Sequence, residues 1–211
     1  MRQPSKTSLF AAAKNWDEAS VAATLSRAPE LIGASDPKGR TALHLACSVT
    51  PGSTPQLAES HGLQTVATLL RAGADLEGEV PMAEDEGDFR ATPLWYAVAR
   101  GENLPLVGFL VGQGANASYS LWAAVWRDDE KMCRVLLKAK PELNLRAHGE
   151  TPIFYAARLQ RLKTLDLLIE AGANAAIADF KGRDAVDIAR ARRLPEQFIE
   201  RLERLRQVGL R

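Results

Sequence analysis

GRTALHLA (39–46), ATPLWYAV (91–98) and ETPIFYAA (150–157) are three versions of one phrase. Each has a Thr, then Pro or Ala, an aliphatic residue, an aromatic or His, and an Ala two residues later. Apolar pairs running into a small-residue stop recur between and after these copies, as LLRAGADLE (69–77), FLVGQGANA (109–117), LLKAKPELN (136–144) and LLIEAGANA (167–175). Such repetition restricts the fold more than any composition does. A unit this short has one apolar face and nothing of its own to bury it against, so it is stable only when stacked on its neighbours. The chain is therefore expected to form an elongated array rather than one closed core.

Taking the Thr as a register mark places it at Thr7, Thr41, Thr92, Tyr119, Thr151 and Asp184, with substitutions at the fourth and sixth positions. The intervals are 34, 51, 27, 32 and 33 residues, which gives six units with one long and one short spacing. The clearest second helix follows Thr151, where Leu162, Leu165, Leu168 and Ile169 recur at three- and four-residue spacing. Gly172 is placed to end it in the left-handed conformation that Gly adopts at least cost.

A helix–turn–helix unit of about 33 residues with a Thr-Pro-Leu-His-x-Ala signature resembles the ankyrin repeat. The resemblance implies an all-α solenoid of helix–turn–helix units with short β-hairpin fingers. The units are expected at about 1–35, 36–77, 88–116, 117–145, 146–178 and 179–211, in a single array spanning 1–211. It also implies that the Thr hydroxyl caps the first helix of each unit, with the next residue in the first turn, where the N–H missing from Pro93 or Pro152 costs nothing. Asp184 can cap as Thr does. Tyr119 cannot, so Ser118 or Ser120 is expected to take over. Trp16 is expected to begin a second helix and staple the first unit. The ladder Phe10, His44, Trp95, Trp122 and Phe154 is expected to pack beneath the fingers.

Two stretches exceed the repeat: 50–61, rich in Pro, Ser and Gly, and 78–88, within the acidic run EGEVPMAEDEGDF (77–89). Insertions in arrays fall in loops, which either bind or drift. The stretch from Gly114 to Leu121 is too short for a finger.

Net charge is +1, which argues against a chain that wraps nucleic acid or a membrane surface as a whole. Its distribution is uneven. Residues 1–126 carry 9 basic and 13 acidic side chains, and 127–211 carry 18 and 13. The ARARR run at 189–193 is expected to be balanced by Glu196, Glu200 and Glu203 on a solvated terminal helix. The two cysteines, Cys47 and Cys133, fall in different units and read as small core residues. No leader-like or membrane-spanning segment is legible, so a cytoplasmic location is expected.

No nucleophile elbow, phosphate loop or metal-ligand spacing appears, and His44, His61 and His148 lie in different contexts. No enzyme activity, cofactor, metal or small-molecule substrate is expected. The resemblance implies instead a partner protein held on the concave face, by finger tips and the exposed ends of first helices. Those positions are Lys38 and Arg40; Asp88, Phe89, Tyr96 and Arg100; Trp126 and Arg127; Tyr155 and Arg158; and Lys181, Arg183 and Arg192. Tyr, Trp and Arg bury large areas with a polar handle and dominate binding hot spots. The basic side chains suit a partner with an acidic contact surface. An adaptor or scaffold is the first reading, an inhibitor or immunity-type protein blocking one enzyme or toxin the second. Nucleic-acid binding through the basic C-terminal half is disfavoured, and the polar ends suit a monomer.

Overall fold

The computed structural model describes residues 3–53, 57–81 and 90–209, and resolves into two compact units, Met1–Asn116 and Ala117–Arg211. In the first unit the helices are α1 (Lys6–Lys14), α2 (Glu18–Arg27), α3 (Ala42–Cys47), α4 (Glu59–Arg71), α5 (Pro93–Tyr96) and α6 (Leu104–Gly112). A 3-10 turn (Pro29–Gly33) follows α2, and α5 runs on as a π-helical turn through Ala97–Gly101. The second unit has α7 (Ser118–Arg127), α8 (Glu130–Lys138), α9 (Pro152–Leu159), α10 (Leu162–Glu170), α11 (Ala185–Ala191) and α12 (Glu196–Gly209).

Each unit is built in two layers. In the first, α3 packs on α1 and α5, and α4 packs on α2 and α6, with each odd helix against the even one that follows. In the second, α9 lies between α7 and α11, and α10 between α8 and α12. This is the all-α helix–turn–helix stacking expected from the repeated phrase. Its core is made of what the phrase repeats: Leu43, Ala46, Leu94, Ala97, Leu121, Ala124, Ile153, Ala156 and Ala189 are buried, as are Leu69, Leu110, Leu136 and Leu168 from the even helices. The alanines keep facing backbones close, and the leucines fill the space between layers.

Helix starts follow the capping logic with two corrections. Thr92 Oγ1 accepts from the Trp95 amide (3.3 Å) and Thr151 Oγ1 from the Phe154 amide (3.4 Å), each followed by its Pro. Asp184 accepts from the Val186 and Asp187 amides at 2.9 and 3.0 Å. Thr7, however, lies inside α1, and the cap is Ser5, in a reciprocal pair with Ser8. Helix α7 likewise begins ahead of the mark, at Ser118, with Ala117 at its cap two residues before Tyr119 and no side-chain hydrogen bond there. Neither serine takes over as expected. Ser118 Oγ accepts from the Glu142 amide (2.9 Å), and Ser120 lies wholly inside. The aromatic ladder is packed as expected, with His44, Trp95, Trp122 and Phe154 buried and Phe10 half-buried.

The turn joining the two helices of a pair is also repeated. Trp16, Glu102, Asp128, Gln160 and Arg193 all have φ between 49° and 57°, one or two residues past the end of an odd helix or its continuation. Trp16 is therefore not the start of a helix. It sits in this turn, its indole donates to the Ala46 carbonyl (2.9 Å), and its ring covers Gly62 of α4, where a Cβ would lie 2.8 Å from it. The residue after the turn caps the even helix in three cases: Asp17, Asn103 and Asp129. Arg161 cannot do so, and Asp128 of the preceding pair serves instead. Its Oδ1 accepts from the Thr164 amide and hydroxyl at 2.9 and 3.0 Å.

Fingers occur where the spacing allows them. Strands β1 (Val80–Pro81) and β2 (Arg90–Ala91) pair antiparallel on either side of the second insertion, and residues 82–89 lie outside the described residues. Single bridges join Ser35 to Thr41 and Ala147 to Glu150. From Gly114 to α7 no strand or bridge forms. In the first insertion, residues 59–61 are already the first turn of α4.

Candidate protein-binding surface

Two fingers are built alike from an Asp-x-x-Gly-Arg run. Asp36 Oδ1 accepts from the Lys38 and Arg40 amides (both 2.9 Å), and its Oδ2 accepts from Arg40 Nε (2.8 Å). Asp179 does the same with the Lys181 and Arg183 amides at 2.8 and 3.0 Å, and Arg183 Nη2 reaches it at 2.6 Å. Gly39 and Gly182 supply the positive φ, 82° and 74°, that closes each loop. The Arg183 guanidinium holds the Asp179 carboxyl down at about 2. Partial burial works against ionising Asp36, yet the hydrogen bonds from Arg40 and the loop amides still bring it below the usual carboxylate range. Arg40 and Arg183 are thus fasteners of their own fingers. Lys38 and Lys181 stand exposed at the tips. The SDPKGR and ADFKGR strings carry this pairing openly, since Asp and Arg four residues apart around a Gly turn can close on one another.

Tyr96 is a wall residue, with 8% exposure and edge-to-face contacts to His44 (5.5 Å) and Trp95 (5.2 Å). His44 ties that wall together. Its Nδ1 accepts from the Thr41 amide (3.2 Å), which leaves the proton on Nε2, 2.9 Å from the Gly78 carbonyl at the base of the next finger. Burial lowers its pKa, so the ring is neutral at neutral pH. Arg100, at the end of the same π turn, is exposed with its guanidinium 5.9 Å from the Trp95 ring. Asp88 and Phe89 lie outside the described residues.

In the second unit, Trp126 is 54% exposed on α7, four residues beyond the buried Trp122 and so on the same helix face. Trp122 packs against Tyr155 of α9 (5.0 Å between ring centroids). Arg158 lies over the Tyr155 ring (5.0 Å) and is ion-paired to Glu150 of the adjoining finger (2.9 Å). Burial raises the Tyr155 phenol. Tyr155 and Arg158 form a braced, half-buried surface rather than free anchors. Arg127 is half-buried and Arg192 exposed.

Phe180, 86% exposed at a finger tip, was not legible as a contact residue. Its ring lies against Gly149 of the neighbouring finger, where any Cβ would collide with it, and the only sequence signal is an apolar residue inside a polar turn. The terminal helix also departs from expectation. Arg190 does pair with Glu203, but Glu196 and Glu200 pair with neither Arg192 nor Arg193; the remaining pairs run Arg201 to Asp166 and Arg206 to Asp184 (3.3 Å).

Burial pushes the Cys47 thiol up, and raises Cys133 to about 12, so both are thiols rather than thiolates. Among the described residues no group of three or more His, Cys, Asp and Glu is placed to hold a metal ion, and no helix is long and apolar enough to cross a membrane.

Comparison with known proteins agrees with this geometry. A three-copy model of ankyrin repeats matches residues 94–179, and the single ankyrin repeat model matches 38–78. The chain belongs to the ankyrin repeat family, whose repeats generally mediate protein–protein interaction and whose fold is typically non-catalytic. Among solved structures it resembles an ankyrin repeat domain from Acinetobacter baumannii AYE at 26% identity and TM-score 0.69, covering 95% of this chain and 96% of that one. An ankyrin repeat protein matches at 19% identity and TM-score 0.69, over 95% and 98%. A chain from the complex of a predatory endopeptidase of Bdellovibrio bacteriovorus with an immunity protein matches at 24% identity and TM-score 0.65, over 93% and 97%. No curated protein matches the sequence at a significant level.

Proposed function

We propose that this chain is a non-catalytic binding module that holds one partner protein, acting as an adaptor or scaffold in the cytoplasm and as a monomer. The exposed Trp126 carries this reading. An indole left on the surface beside a rigid aromatic and guanidinium layer, Trp122–Tyr155–Arg158, can bury a large area with little loss of side-chain entropy. Lys181 and Lys38 at the finger tips, with Arg100 and Arg192, add charge that suits an acidic partner surface. Arg40, Arg183 and Arg158 support the surface indirectly, by holding its fingers in shape.

A second reading is inhibition of one enzyme. One solved relative comes from an endopeptidase–immunity protein complex, but at 24% identity that likeness speaks for the fold alone. The discriminating experiment is affinity capture from native extract with wild-type and Trp126→Ala baits, read by mass spectrometry. One stoichiometric protein captured by wild type and lost, by at least about tenfold, with Trp126→Ala is the expected result. Equal capture by both baits overturns Trp126 as the anchor. A captured hydrolase that is silenced by the chain selects the inhibitor reading.

A further inference from the structure

At the end of the odd helices opposite the fingers, two successive turns of the second unit come together. The Gln160 side-chain amide donates to the Arg192 carbonyl (3.4 Å), joining the α9–α10 turn to the α11–α12 turn. Gln160 and Arg193 have the same backbone conformation, φ 57° and 56°, so the two turns present their side chains alike. This juxtaposition gathers Arg161, Lys163, Arg192 and Arg193. None of the four has an ion-pair partner among the described residues, and Arg161 Nε is shielded from solvent with no acceptor. Elsewhere in the same unit Arg134, Arg158, Arg183, Arg190, Arg201 and Arg206 each meet a carboxylate, and Arg146 is taken up by the Gly149 and Ala178 carbonyls. The Asp128 carboxylate lies at the same helix start but is taken up by the Thr164 amide and hydroxyl, so the group still gains from an anion brought to it.

We propose that this ridge is a second contact surface, which takes an extended acidic segment of a partner protein. Resting on the reading of the chain as a protein-binding module, it adds an acidic contact separate from that of the finger tips. Arginine forks pair two-pronged with carboxylates, which suits the exposed Arg192 and Arg193 to an acidic chain. The ridge is bounded by Asp129 and Glu130 on the preceding turn and by Glu196 and Glu200 on α12. Those carboxylates interrupt the positive field that a long phosphate backbone would need to follow, which favours a short peptide over nucleic acid. Two turns about 10 Å apart are bridged by roughly three to four residues of extended chain.

The test uses the full chain and a fluorescein-labelled dodecapeptide of alternating Glu and Asp, titrated by fluorescence anisotropy at low and physiological salt. Arg161→Gln/Lys163→Gln/Arg192→Gln/Arg193→Gln is expected to weaken binding at least about tenfold and to flatten its salt dependence. Lys131→Gln/Lys138→Gln, which removes exposed charge from α8, is expected to change it less than about twofold. Should the quadruple variant melt lower, the exposed pair Arg192→Gln/Arg193→Gln carries the test, with an expected loss of about threefold or more. Equal losses in the ridge and α8 variants, or no loss in the ridge variant, overturn the proposal. So does tighter, ridge-dependent binding of a single-stranded oligonucleotide of equal charge. Peptide binding and Trp126-dependent capture are read separately, so failure of either leaves the other standing.

Discussion

His44 shows what one side chain of the repeated phrase contributes. It accepts from Thr41, donates to Gly78 and packs edge-on against Tyr96, so it ties a helix start, the base of the next finger and the following helix into one contact. Its buried ring is harder to protonate in the folded than in the unfolded chain. The unfolded state therefore takes up a proton first as pH falls. His44's contribution to stability is complete above about 6.5 and is lost as pH drops through that value toward the lower folded pKa. Between pH 7.5 and 5.5, wild type is expected to lose more stability than His44→Gln, read as the difference in urea midpoints. Parallel pH profiles for the two proteins would show that His44 carries no such linkage.

At the scale of elements, stability lies in how one pair of helices meets the next. Trp16 bridges α1 and α2 to the second pair because Gly62 leaves room for its ring on α4 and the Ala46 carbonyl accepts its N–H. Gly62→Ala puts a methyl group into that ring and is expected to cost about 1–3 kcal/mol, seen as a lower melting temperature with a red-shifted indole emission. Retained stability would mean that the ring swings aside freely. This contact also marks the limit of what the sequence discloses. Thr92, Thr151 and Asp184 were legible as caps because capping is local: the residue and the amides it serves are three positions apart. The α1 and α7 starts were not, because each cap lies two residues before the register mark, and the reason differs: Ser5 offers a better local cap, whereas α7 has no side-chain cap at all. Trp16 and Asp128 were opaque because their roles are set by partners 30 and 36 residues away. The surface was legible by residue type and not by availability. Arg158 read as a free cation until the fold brought Glu150 to it.

At the scale of the whole molecule, nothing holds a layer in place except its neighbours, so damage inside one pair spreads along its unit. Leu168 is wholly buried on α10, the helix that joins α8, α9 and α12. Leu168→Asp buries a carboxylate with no partner and is expected to cost several kcal/mol, lowering the melting temperature of the second unit by roughly 15 °C or more in circular dichroism. A shift of only a few degrees would mean that α10 frays independently of the helices around it. The same dependence has a consequence in time. The carboxylate of Asp128 that completes the start of α10 is made 36 residues before the Thr164 it serves, a lead of roughly two to seven seconds at ordinary rates of synthesis. The growing chain thus meets a finished edge as each new helix emerges. A ribosome that pauses after Asp129 releases no orphan helix, only an earlier layer whose acceptor is already waiting.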